Sequence, residues 1–431
     1  MLSTIPPALL ALLALSVAAN PIVIRHSPVS LSFTRQLNVT GSNDLVLKDH
    51  ARARGLAANP NGSGIPDAAV SLDVSNSALN YRLSVGIGNP ATFYTLIMDT
   101  GSAVTWVGAG KAYVRTGTSV QTDNNVRVSA SWFTNTMCQS VPYVSGSFSG
   151  TEFIDTVTIS PGVVVSSQSI GVATTFHGFQ DVDGILGLGP TNLTIGALSP
   201  SRGSAVPTIT DNLFSQGTIA SNMVSVSFEP TNGTSDKNGE LTFGGTDSTK
   251  FTGNITFTMP VPTRASDSPI TATFPASSFW GIDQSVSYGT STSILNTTAG
   301  IVDTGTTLIL IATDAFDRYR AATGAVPDNT TGLLRITPAQ YADLESLFFT
   351  VGGTTFELTA NAQIWPRALN SFIGGTAEDV YLIVHDLGRP SGQGLDFING
   401  YTFLERFYAV FDTGNRCVGL ATTSFTTATS N

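Results

Sequence analysis

Two short stretches of this 431-residue chain carry the same chemistry. Leu96-Ile-Met-Asp99-Thr100-Gly101-Ser102 recurs 204 residues later as Gly300-Ile-Val-Asp303-Thr304-Gly305-Thr306. In each copy an apolar strand ends on an aspartate. Burying a lone carboxylate is costly, so each Asp must be satisfied or perturbed. The Gly lets the backbone turn tightly and approach another group closely. The Ser102 or Thr306 hydroxyl is placed to hydrogen-bond the carboxyl. If the two loops face each other, the carboxyls share one proton, because like charges that close do not both ionise easily. One carboxyl then acts as base and the other as acid. A water between them loses a proton and attacks a carbonyl carbon while the acid protonates the carbonyl oxygen. Such a site needs no metal and no cofactor.

A third Asp-Thr-Gly, Asp412-Thr413-Gly414, is followed by Asn415-Arg416 instead of a hydroxyl and an apolar run. It reads as a hairpin turn between Phe407–Phe411 and Val418–Ala421.

The elements that position the two motifs are strands. Tyr81–Ile87 alternates, Gly88-Asn89-Pro90 turns, and Phe93–Met98 leads into Asp99. Phe153–Ile159, Val163–Val165, Val224–Phe228, Leu241–Phe243 and Tyr381–Val384 are further strands bounded by turn residues. Helices are few: Asp211–Gln216 stopped by Gly217, Thr313–Ala322, and one opened by Thr337-Pro338-Ala339-Gln340, with Thr as cap and Pro at the first position. Composition agrees with a mostly β protein. Gly (42) and Pro (21) are plentiful and only 12% of residues are charged, against roughly 25% in an average soluble domain. The net charge of −10 argues against nucleic acid as a partner, which needs concentrated Lys and Arg.

The N-terminus differs from the body. Ala8–Ala19 is an apolar run ending in small residues, too short to span a bilayer, and reads as a secretory signal over residues 1–19. The stretch from 20 to about 70 lacks clean strand periodicity and carries Arg25, His26, Arg35, Lys48, His50, Arg52 and Arg54. Residues 1–70 hold five basic and three acidic residues, which leaves 15 basic and 27 acidic in the remainder. A basic leader on an acidic body reads as a propeptide whose cations cover carboxylates near a cleft. Seven Asn-x-Ser/Thr sequons, at Asn38, Asn61, Asn192, Asn232, Asn254, Asn296 and Asn329, suit a secreted glycoprotein. The two cysteines, Cys138 and Cys417, allow at most one internal bridge.

With both full motifs in place, the region from about Tyr81 to Ala421 resembles the pepsin-like aspartic proteases. Within them it is most similar to the secreted basidiomycete enzymes of the polyporopepsin type. A shared-proton carboxyl pair is the known behaviour of that family. Asp183-Gly-Ile-Leu-Gly-Leu-Gly189 looks like the segment that braces the first catalytic loop. Asp396-Phe-Ile-Asn-Gly400 looks like its counterpart in the second lobe, with Asn399 in place of an apolar residue. Gly244-Gly245 looks like the end of the first lobe, while Asp211–Thr218 and Ala362–Pro366 are similar to segments of the polyporopepsin type. The resemblance implies a two-lobed fold, with lobes over 71–250 and 251–431, a central cleft, and a flap hairpin that closes on an extended peptide. The flap match is Tyr143, Val144, Ser145, Gly146 and Ser147, where Val144 replaces a Gly. Trp106 matches the Trp that bonds the flap Tyr. The same matching places Cys138 and Cys417 far apart, which argues against a bridge. It implies a monomeric endopeptidase, active in acid, inhibited by its own propeptide.

Other chemistries lack their residues. There is no Gly-x-Ser-x-Gly elbow and no His-Glu-x-x-His or Cys/His cluster. His177 and His385 stand isolated in sequence and read as surface or turn residues. The rival from another class is an inactive binding protein on the same fold. Loss of either Asp would mark that rival, and both are present.

Overall fold

The computed structural model describes residues 28–37, 44–58, 79–129, 146–179, 181–258 and 271–431. The expected signal segment, Tyr143, Val144, Ser145 and Cys138 lie outside the described residues.

The fold is mostly β and two-lobed, and the duplication hinted at by the motifs extends to whole strand arrangements. In the first lobe Thr92–Asp99 pairs antiparallel with Leu79–Ile87 and parallel with Gly184–Gly187. Gly184–Gly187 in turn pairs antiparallel with Trp106–Val107. In the second lobe Thr292–Val302 pairs antiparallel with Gly281–Tyr288 and parallel with Phe397–Asn399, which pairs antiparallel with Ile309–Ile311. Each Asp-Thr-Gly thus leaves the end of a buried strand flanked on both sides. Burial follows the period of two expected of such strands: Tyr94, Leu96 and Met98 are fully inside.

A seven-stranded sheet organises the second lobe, and a 14-stranded sheet runs through the first. The larger sheet crosses between lobes, because Phe407–Asp412 pairs with Met223–Phe228 and Cys417–Thr422 closes a hairpin beside it. Asp412 sits in that hairpin, its carboxylate accepting from the Asn415 amide N–H (2.8 Å) and side chain (2.7 Å). It closes the strand at the mouth of a hairpin turn, in line with its following sequence.

Helices form where their caps dictate. Thr337 and Gln340 form a reciprocal capping box on Pro338–Ala342. Thr313–Thr323 stops at Gly324, whose φ of 65° is the left-handed region that glycine tolerates. Ile209–Ser215 begins two residues earlier than its sequence suggests, because Thr208 caps it with Asp211.

Two expectations need correction. Residues 380–386 are two strands, not one. Val380–Leu382 joins a three-stranded sheet with Leu334–Ile336, while Val384–Asp386 runs parallel to Ile309–Ile311. The chain changes sheets at Ile383, whose carbonyl accepts from Ile309 N–H (3.1 Å). The leader also contains a strand. Val29–Leu37 lies between Leu79–Ile87 and Ser235–Phe243, with Val29, Phe33 and Leu37 buried. Its inward row also carries Arg35, which hides the apolar alternation. Arg35 is buried 3.8 Å from Glu405, which also accepts from Tyr81 Oη (3.1 Å). A leader helix, Asp44–Ala58, follows.

Candidate active site

Asp99 and Asp303 are both buried. Each carboxylate is held by the same local set of donors. Gly101 N–H donates to Asp99 Oδ1 (3.0 Å) and Ser102 Oγ to Asp99 Oδ2 (2.6 Å). Gly305 N–H donates to Asp303 Oδ1 (3.1 Å) and Thr306 Oγ1 to Asp303 Oδ2 (2.5 Å). The loop sequence Asp-Thr-Gly-Ser/Thr is what lets one turn supply both bonds.

The two threonines lock the loops to each other. Thr100 N–H donates to Thr304 Oγ1 and Thr304 N–H donates to Thr100 Oγ1, both at 3.0 Å. Thr304 Oγ1 in turn donates a hydrogen bond to the Met98 carbonyl (3.2 Å). All of these atoms are buried, so the exchange has no competing water. The glycines let the carboxyls approach. A Cβ on Gly101 would stand 2.7 Å from Asp303 Oδ1, and one on Gly305 would stand 2.8 Å from Asp99 Oδ1. Each glycine therefore faces the opposite carboxylate.

Behind the loops the two bracing strands do their work through the backbone. Leu188 N–H donates to the Asp99 carbonyl (2.8 Å), and Asp303 N–H donates to the Asn399 carbonyl (3.1 Å). The polar Asn399 at a buried position is explained by Gln284. Their side-chain amides exchange two hydrogen bonds, at 2.8 and 3.3 Å. Trp280 of the second lobe donates its indole N–H to the Leu188 carbonyl (3.0 Å) and so ties the first brace to the other lobe. Neither Gln284 nor Trp280 stands out in the sequence, since each acts through a partner about 90 to 115 residues away.

Trp106 is buried, stacked on Phe148 (4.3 Å, 14°) and edge-on to Phe179 (4.7 Å). Gly146, at φ 103°, and Ser147 lead into Ser147–Ser160, which pairs with Val120–Ser129. A side chain at Gly146 would meet the Phe179 ring at 2.9 Å. These paired strands bracket residues 130–145, which include the expected flap positions Tyr143, Val144 and Ser145 and lie outside the described residues.

One side chain from the N-terminal segment enters the site. Arg52 Nη2 lies 2.5 Å from Asp99 Oδ1 and 2.8 Å from Asp303 Oδ1, and its Nε lies 2.6 Å from Asp303 Oδ2. Burial alone would raise the Asp303 pKa. The Arg52 guanidinium overrides it and, with the Thr306 and Gly305 donors, holds this carboxyl below its ordinary range. Burial would lower the Arg52 pKa, and the two carboxylates instead raise it above its ordinary value.

His385 does not behave as a surface residue. It is buried, its Nδ1 lies 3.0 Å from His50 Nε2, and its Nε2 lies 2.9 Å from the Gly332 carbonyl. His50 belongs to the leader, so this partner is invisible from the sequence around His385. His177 is exposed, as expected.

Comparison with known proteins agrees with this geometry. Residues 80–423 match the family model described as eukaryotic aspartyl protease. The chain is 61% identical over 364 residues to polyporopepsin from Irpex lacteus, covering 84% of this chain and all of the relative. It is 28% identical over 348 residues to pepsin A from Sus scrofa, covering 79% of this chain and 80% of that one. A crystal structure of aspartic proteinase from Irpex lacteus superposes with a TM-score of 0.76 at 55% identity, covering 94% of this chain and all of that chain. The chain belongs to the eukaryotic aspartyl proteases and is a pepsin-like aspartic endopeptidase, a hydrolase acting on peptide substrates.

Proposed function

We propose that the protein is a secreted endopeptidase, made with an inhibitory leader, that cleaves proteins in acid by a water activated between Asp99 and Asp303. The observation that carries this is the reach of one Arg52 nitrogen to both carboxylates. Two carboxyls that one nitrogen can bridge are close enough to share a proton once the cation leaves.

With the leader gone, water takes the place of the guanidinium. The ionised carboxyl accepts a proton from that water, whose oxygen attacks the carbonyl carbon of the scissile bond. The protonated carboxyl gives its proton to the carbonyl oxygen. Collapse of the tetrahedral intermediate breaks the C–N bond as a proton passes to the amine, and the pair returns to one shared proton. The hydroxyls of Ser102 and Thr306 hold the outer oxygens, so the inner ones face the water. The requirement for one proton on the pair is the reason for activity in acid.

An extended peptide fits between the lobes with its main chain against the flap, which contains Tyr143, Val144, Ser145, Gly146 and Ser147. The leader over residues 20–70 holds the site closed while Arg52 stays paired. A leader that ends before residue 80 fits a family match that starts there. Secretion rests on the apolar run Ala8–Ala19. The sequons Asn232, Asn254, Asn296 and Asn329 are exposed and fit glycan attachment, whereas the Asn192 side chain is bonded to the Ser278 carbonyl (3.2 Å).

Acid treatment of the full chain followed by N-terminal sequencing tests this reading. A new terminus near residues 60–78 is expected, together with hydrolysis of a denatured protein that a statine-type inhibitor blocks and a chelator does not. Neutralising Lys48, Arg52 and Arg54 together should raise the pH at which processing begins. Full activity of the uncut chain at neutral pH would overturn the inhibitory role of the leader.

A further inference from the structure

We propose that His50 and His385 form an acid-sensitive latch that holds the leader helix on the second lobe at neutral pH and lets go when both rings are protonated. The proposal rests on the inhibitory-leader reading above. Among the polar contacts of the leader helix Asp44–Ala58, three reach the second lobe or the paired aspartates. The Asp49 carboxylate accepts from Thr307 N–H (3.0 Å) and Leu308 N–H (2.7 Å), Arg52 bridges the aspartates, and His50 meets His385.

Besides each other, the rings meet the Gly332 carbonyl, at His385 Nε2, and the Asp386 carbonyl, 3.5 Å from His385 Nδ1. The Gly332 carbonyl can only accept, so His385 Nε2 carries a hydrogen. A neutral His385 then presents a bare Nδ1 to His50 Nε2 at 3.0 Å. That contact is satisfied by one hydrogen between the two nitrogens. Protonation of both rings places two N–H groups and two positive charges face to face. The ring centroids are only 4.9 Å apart, and the Phe316 ring lies 5.3 Å from that of the buried His385, so the two charges would face each other at close range with one of them out of bulk water.

The surrounding charges set the window. Burial, then His385 beside it, lowers His50 from 6.5 to about 4, while the Asp386 backbone and carboxylate pull upward and Arg54 adds to the lowering. Burial also lowers His385, against the pull of the Gly332 and Asp386 carbonyls and the Asp386 carboxylate. The Asp386 carboxylate is itself engaged by Thr313 Oγ1 and Gly388 N–H, both at 2.7 Å. Groups whose pKa is depressed by docking favour the docked state fully above the free value and lose that contribution as pH falls. For the His50 ring this loss runs from 6.5 down to about 4.

The other anchors do not titrate in the same sense there. Burial raises Asp49 to about 6, so this group binds its proton more readily when docked and opposes release in acid. In the Arg52 clamp, Asp303 is held below the ordinary range, so its share of the clamp yields only in stronger acid. Burial lowers Lys48 to about 8, above the window. As pH falls below neutrality the two depressed imidazoles therefore act for release and the raised Asp49 against it, so the imidazoles govern where the leader first loosens.

The test is the pH of half-processing in the full-length chain at fixed concentration. His50→Gln keeps a side-chain donor for His385 Nδ1 but cannot take up a proton. Because residue 50 leaves with the leader, the mature protease is the same as wild type and its own pH profile cancels. His50→Gln should move the midpoint down by roughly one pH unit, and His385→Gln should move it in the same direction. His50→Lys, with a permanent charge, should move it up. Wild-type midpoints in both Gln variants would overturn the latch while leaving the leader reading intact. An NMR titration of the uncut chain showing both rings at an ordinary histidine pKa would also overturn it. An uncut wild-type chain fully active at pH 7 would instead overturn the leader reading, and the latch with it.

Discussion

The two half-sites are built on one plan and braced by different chemistry. Behind Asp99, Val85 pairs with Tyr94 and Leu186 with Met98, and all four are buried. At the matching registers behind Asp303, Gln284 pairs with Thr298 and Asn399 with Val302. An apolar pair in one lobe is thus replaced by an amide pair in the other. The replacement is tolerated because each amide completes its partner. Buried hydrogen-bonding groups add little net stability when matched, and cost about 1–3 kcal/mol when one is orphaned. What must stay equal between the lobes is the placement of the carboxyls. How each is backed is free to vary, provided no polar atom is left alone.

The strongest break of the symmetry comes from the aspartates themselves. Asp99→Asn and Asp303→Asn should each lower the hydrolysis rate by at least ~10³-fold with the fold intact, because each removes half of the acid–base pair. Asp412→Asn, in its hairpin, should change the rate less than about twofold. Peptide hydrolysis alongside thermal unfolding checks this. If Asp412→Asn inactivated the enzyme and Asp303→Asn did not, the pairing would be wrong.

Next come the glycines. Gly101→Ala and Gly305→Ala each press a methyl group on the opposite carboxylate. Both should cost roughly 10²-fold in kcat through misplacement of the pair. A large loss in one and none in the other would mean that the loops are not equivalent.

The braces give a smaller effect, read in denaturant unfolding. Asn399→Leu strands the Gln284 amide, and Leu186→Asn strands a new one in the first lobe, each at about 1–3 kcal/mol. The double change Gln284→Val with Asn399→Leu copies the first lobe and should recover most of the loss. An additive double variant would show that the amide pair is not the unit.

The smallest effect concerns the hydroxyls. Thr306 is fully buried, whereas Ser102 is partly exposed. Water can replace the Ser102 hydroxyl more readily, so Ser102→Ala should slow hydrolysis less than Thr306→Ala. Thr306 helps to hold Asp303 low, so its removal raises that carboxyl. The acid limb of kcat/KM should then move to higher pH. An unmoved limb in Thr306→Ala would remove this hydroxyl from the tuning of the pair.

Much of this was legible because it is local. The paired Asp-Thr-Gly motifs, the hydroxyl three residues on, the capping box of Thr337 and Gln340 and the stop at Gly324 each bind partners within a turn or so of chain. The contrast of Asp412 with the two full motifs was legible for the same reason. The excess of cations in the N-terminal segment was legible as well, because net charge needs no knowledge of pairing; that Arg52 is the one on Asp99 and Asp303 was not.

Other features were decided only by tertiary structure. The leader strand escaped notice because its inward row includes Arg35, whose counter-charge, Glu405, comes from the far end of the chain. His385 read as isolated because its partner His50 lies 335 residues away. The break at Ile383 comes from competition between two sheets for adjacent residues, not from any turn signal. Residue types and short spacings singled out the two aspartates and the turns that hold them. Which cation plugs the pair, which amide completes Asn399 and which imidazole faces His385 depend on contacts between distant segments, and only folding brings those together.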